Sequence, residues 1–179
     1  GAATTDTISG GAGADTLTVT NTGAITAGTT TGVETITTTV ASATAVLALA
    51  KVSGLTTLKV VTDDEGDRVD ITGINSGVTF INSTDELDTV TLDTVADATL
   101  TIDQQAASAT STTVADAATV IVQNTGTAAG SLTALILDTV ETTSLTVNAG
   151  TSAGVDAGAV TLTDNVATLV LTGQTTEFD

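Results

Sequence analysis

Apolar residues alternate with threonine or another small polar residue in short segments along the whole chain, as in Leu145-Thr146-Val147. That period of two marks half-buried β-strands, whose successive side chains point to opposite faces. Threonine fills 45 of the 179 positions. Like valine it is β-branched and fits a pleated strand better than a helix. The interior such strands can build is narrow. The chain has no Trp, Tyr, Met, Cys or Pro, and its only aromatics are Phe80 and Phe178. Val, Leu, Ile and Ala fill a thin core well and a wide one poorly, and stacked solenoid coils have thin cores.

The alternation places strands near Thr16–Thr20, Val33–Thr39, Leu55–Val61, Val69–Thr72, Val78–Asn82, Thr89–Leu92, Ala98–Ile102, Thr119–Gln123, Ala134–Leu137, Ser144–Asn148, Val160–Thr163 and Ala167–Leu171. Gly, Asn, Asp and Ser between them supply turns. Ala41–Lys51, rich in Ala and Leu, reads as a short helix, with a strand through Val46, Leu47 and Leu49 as the alternative. The expected fold is all-β: a parallel β-solenoid of the β-helix or β-roll kind, with an Ig-like β-sandwich as the alternative.

Three basic residues stand against 21 acidic ones, a net charge of −18. Only Lys51, Lys59 and Arg68 could meet phosphates, which excludes nucleic acid and an anionic membrane surface as partners. No run of 18 apolar residues suggests membrane insertion. An apolar fraction of 41% and a mean hydropathy of +0.38 are too high for a disordered chain. The enzyme reading fails on inventory, since there is no His, Cys, Tyr or Trp for acid–base or nucleophilic work. A compact chain this acidic repels itself unless salt or bound divalent cations offset the charge.

One motif offers such a cation a place. Residues 10–18 read Gly-Gly-Ala-Gly-Ala-Asp-Thr-Leu-Thr and match the calcium nonapeptide G-G-x-G-x-D-x-U-x at every specified position. Glycines let the backbone turn carbonyl oxygens toward one point, and Ca²⁺ takes six to eight oxygen ligands from carbonyls and carboxylates. The candidate ligands are Gly10, Gly11, Ala12, Gly13 and Asp15, with Asp6 helping. Asp6 lies nine residues before Asp15, and Ile8 nine before Leu17, so Gly1–Ser9 is a degraded copy of the repeat. The bland alternative is a plain glycine turn. The register kept in both the Asp and the apolar columns favours calcium.

With Gly32-Val33-Glu34-Thr35-Ile36 and Gly54-Leu55-Thr56-Thr57-Leu58 following this turn, the sequence resembles the RTX-type S-layer proteins of Gram-negative bacteria and related large RTX surface proteins. The resemblance implies a secreted, cell-surface structural protein, calcium-dependent folding, and self-association of identical subunits into a two-dimensional lattice. An RTX-type adhesin or biofilm module is the alternative it leaves. It divides the chain into residues 1–20, the end of an RTX calcium-binding β-roll, and 21–179, a Thr-rich β-solenoid segment of a larger surface protein. Anchoring to lipopolysaccharide or a cell-surface glycan is expected through parts outside this segment.

Three further patterns need weighing. Asp63, Asp64, Glu65 and Asp67 crowd around Gly66 and form a second candidate cation site; a solvated acidic loop partly neutralised by Arg68 is the favoured reading. Asn82-Ser83-Thr84 matches a glycosylation sequon, a pattern too short to weigh alone. Thr-x-Thr pairs at Thr16/Thr18, Thr35/Thr37, Thr89/Thr91, Thr99/Thr101 and Thr161/Thr163 suggest an ice-binding face, but their irregular spacing reads as ordinary outward strand chemistry.

Overall fold

The computed structural model describes residues 6–62, 64, 66–107, 110–137, 143–148, 155–156, 158–162 and 166–172. The strands among them are β1 (Thr7–Ser9), β2 (Thr16–Asn21), β3 (Ala24–Thr26), β4 (Thr29–Thr31), β5 (Thr35–Val40), β6 (Thr44–Ala48), β7 (Val52–Ser53), β8 (Thr57–Thr62), β9 (Asp67–Ile74), β10 (Val78–Asn82), β11 (Leu87–Gln104), β12 (Thr110–Gln123), β13 (Gly130–Leu137), β14 (Ser144–Asn148), β15 (Val155–Asp156), β16 (Ala159–Thr161) and β17 (Thr168–Thr172). They stack as a β-solenoid of about seven turns. Every ladder within it is parallel, from β2 with β5 at one end to β14 with β17 at the other. A β-sandwich is built from antiparallel sheets, so the Ig-like alternative falls.

Thr35, Thr57, Thr79 and Thr101 occupy one column at steps of 22 residues, which is the length of a coil in this part of the stack. The stack passes from residue 20 to 21 without a break, with Thr20 opposite Thr39 and Asn21 opposite Val40. The first coils have three sides. β2, β5 and β8 form one, β3, β6 and β9 a second, and β1, β4 and β7 a third. Farther along, the third side is absorbed. β11 is one strand of 18 residues that serves the second side in its first half and the first side in its second half. The corner falls at Asp97, whose φ is 61°; the equivalent corner in β12 falls at Asp116, with φ 63°. Both lie in Val-Ala-Asp-Ala segments, 95–98 and 114–117. Aspartate is one of the few L residues that visits this left-handed region readily.

Inside, each coil contributes one layer to apolar columns. Ile36, Leu58, Phe80, Ile102, Val122 and Val147 stack in register on the first side. Leu47, Ile71, Leu92, Val114 and Leu137 do so on the second. All are buried. At about 25 cal/mol per Å² of apolar surface, these layers carry the favourable side of folding. Ala41–Lys51 is corrected by this packing. It contains β6 and no helix, because Ala45, Leu47 and Leu49 alternate inward while Val46 and Ala48 sit on the outer side. That is the period of a strand, and the ladder partners on both flanks override helix propensity.

One corner of the interior is polar. Asn21 and Asn82 are fully buried. Asn21 Nδ2 donates to the Val46 carbonyl at 3.0 Å, reaching the neighbouring coil. Asn82 Nδ2 donates instead to two side chains, Gln104 Oε1 and the Thr110 hydroxyl, so its amide faces the inside and the sequon carries no accessible acceptor.

Candidate metal centre

The Gly10–Asp15 turn joins β1 to β2 at a corner of the first coil. Gly11 and Gly13 adopt φ of 97° and 126°, a region side chains rarely enter. Gly10 is fixed for another reason. Its N–H donates to the Thr31 carbonyl at 2.9 Å, and a Cβ placed on it would overlap the carbonyl oxygen of Gly32 in the next coil. Gly10, Gly32 and Gly54 lie 22 residues apart, one per coil, and let the corners close on each other.

Asp15 is half-buried and tied to the second coil through Glu34. The Asp15 N–H donates to Glu34 Oε2 at 2.8 Å. The Asp15 carbonyl accepts from the N–H groups of Glu34 at 3.2 Å and Thr35 at 3.1 Å. The carboxylate oxygen Asp15 Oδ2 is buried and has no hydrogen-bond partner among the described residues. A buried carboxylate oxygen without a donor is costly, and a cation would remove the cost. Asp6 stands just before β1, which pairs with β4 and not with β2, so Asp6 and Asp15 lead into different sides of the coil. Among the described residues no group of three or more His, Cys, Asp or Glu side chains converges as a metal site. The carboxylates of Asp15 and Glu34 and the backbone oxygens of residues 10–13 are among the groups that could hold a cation here. That is a donor set of hard oxygens.

In the second acidic segment, Asp63 and Glu65 lie outside the described residues. Asp64 is exposed, and its carbonyl accepts from the Thr62 hydroxyl at 3.1 Å. Asp67 is buried at the start of β9. Arg68 pairs with Asp70 on the same strand, with Nε and Nη2 both 3.1 Å from Oδ1. The guanidinium thus faces its own strand, an exposed pair of small energetic value. Leu87 is the register partner of Asp67, so the loop before β11 stacks on the loop before β9. This brings Asp88 Oδ2 to 4.0 Å from the position of a Cβ on Gly66.

Sequence reasoning treated most acids as solvated edge charges and missed a shared task. Several accept a backbone N–H from an adjacent coil. Asp85 Oδ1 takes the Ala107 N–H at 2.8 Å. Buried Asp103 takes the Thr125 N–H at 2.8 Å and also accepts from the Thr125 hydroxyl and from Gln105 Nε2. Glu34 does the same for Asp15. The signal was spacing: Asp85 and Ala107, like Asp103 and Thr125, stand 22 residues apart. Among the described residues none gives Asp93 such help. Burial raises its carboxyl above the usual aspartate value, and the negative charge of Asp116 raises it further.

The Thr-x-Thr pairs stack more than their spacing suggests. Thr16, Thr35, Thr57, Thr79 and Thr101 form one outward column. The adjacent column runs Thr18, Thr37, Lys59, Ile81 and Asp103. A two-column threonine array is thus only two coils deep, and what ends it is Lys59.

No family model, no curated protein and no solved structure matches this chain.

Proposed function

We propose that this chain is a structural, non-catalytic segment of a secreted bacterial surface-layer protein, whose folding depends on calcium and whose subunits associate with one another into a two-dimensional lattice. One observation carries the calcium part: the buried, unpartnered Asp15 Oδ2 in a turn whose glycines allow carbonyl oxygens to converge. The net charge of −18 gives the folded chain a second reason to take up divalent cations. The solenoid supports the structural role, since a stack of coils offers long, repetitive sides to an identical neighbour.

The test is a thermal melt of the 179-residue chain with calcium and with chelator, beside native mass spectrometry to count bound ions. At a hundredfold excess over Kd, mass action stabilises by about 2.7 kcal/mol. For a chain of this size that raises Tm by roughly 5–10 °C. Identical melts and no bound calcium would refute the reading. Electron microscopy in calcium then separates the two surface roles: flat sheets support the lattice, and isolated rods support an adhesin.

A further inference from the structure

We infer that Glu34, contributed by the second coil, is the carboxylate that completes the cation site of the Gly10–Asp15 turn, so that an ion bound there clamps the first two coils together. This rests on the calcium reading above and adds to the motif a residue that lies outside it.

The geometry separates Glu34 from the other acids that reach across coils. Asp85 and Asp103 accept N–H groups from Ala107 and Thr125, which carry no charge. Glu34 accepts its N–H from Asp15, itself an acid whose Oδ2 is buried and unpaired. Two carboxylates on neighbouring coils repel each other, and a cation held between them removes that repulsion. Lys51, Lys59 and Arg68 are the only basic side chains in the chain, and no ion pair joins Lys51 or Lys59 to Asp15 or Glu34. Arg68 is occupied by Asp70. The hydrogen bond from Asp15 engages Glu34 Oε2, and an ionised carboxylate has about four lone-pair sites, so capacity for an ion remains. The Glu34 and Thr35 N–H groups both bind the Asp15 carbonyl, which fixes the two residues against each other before any ion arrives.

The experiment is calorimetric titration of calcium chloride into the 179-residue chain and into its Glu34→Gln, Asp15→Asn and Asp85→Asn variants. Glutamine keeps an oxygen to accept the Asp15 N–H but removes the charge, and the melt in chelator reports whether each variant is folded. The expected result is that Glu34→Gln weakens the tightest calcium site by about tenfold or more, as Asp15→Asn does, because calcium affinity follows ligand charge. Asp85→Asn leaves that site unchanged. Hydrogen exchange adds a second readout: calcium protects amides on β2 and β5 together in the parent chain and not in Glu34→Gln. Binding by Glu34→Gln equal to the parent overturns this inference alone. A parent chain that titrates no differently from Asp15→Asn removes the calcium reading and this inference with it.

Discussion

Asn82 and Gln104 hold the same inward position on adjacent coils, and Asn82 Nδ2 donates to Gln104 Oε1 at 3.3 Å and to the Thr110 hydroxyl at 3.0 Å. Gln104 Nε2 passes the network on to the Ser131 carbonyl at 2.9 Å, and the Thr110 hydroxyl donates to the Leu87 carbonyl at 2.7 Å. Buried polar groups are stabilising only when all are satisfied. Asn82→Ala leaves an acceptor unpaired and a void beside it, and should cost about 2–3 kcal/mol. Urea unfolding measures this as a lower midpoint at unchanged slope; an unaltered midpoint would mean the network contributes nothing.

Thr38 gives the opposite case. It stacks inward between Val19 and Val60, and its hydroxyl is buried with no partner among the described residues. Thr38→Val keeps the shape and removes the unpaired hydroxyl, so it should raise stability by about 1 kcal/mol. Thr110→Val, which breaks two hydrogen bonds, should lower it in the same urea series. A destabilised Thr38→Val variant would contradict this account.

Asp93 predicts a pH dependence. Its carboxyl is raised by burial first and by the charge of Asp116 second. A raised carboxyl means the folded state disfavours ionisation more than the unfolded chain does. The resulting penalty is fully present above the folded-state pKa and disappears below the ordinary aspartate value of about 4. Asp93→Asn should therefore be more stable than the parent at pH 7, and its advantage should shrink as pH falls through that window. Urea midpoints at pH 7, 5 and 4 decide it. An advantage that stays constant with pH would assign the effect to something other than charge.

The sides of the solenoid were legible in the sequence wherever a strand carries two or more apolar residues in alternation. Leu145 and Val147 announce β14, and Leu58 and Val60 announce β8. The short third side was not legible. β4 is three threonines, with only the middle one buried, and no pattern of apolar residues marks it. β6 was hidden by composition, because Ala and Leu suit a helix until ladder partners on both flanks decide otherwise. In the cation turn, the glycines and Asp15 were readable from the nonapeptide. The contact of Glu34 with Asp15 was not, because the first coil is 19 residues long there, shorter than the 22-residue spacing of Gly10, Gly32 and Gly54, and that spacing would have set Thr37 beside Asp15.

The interior columns bear on how such a sequence can change over time. Leu58, Phe80 and Ile102 share one column although no two are alike. A layer has to suit the layer above and the layer below, and nothing farther away. Each coil can then drift with its neighbours, and memory of a common ancestral unit fades within a few steps along the stack. A stack of parallel coils can thus carry a text that no longer rhymes.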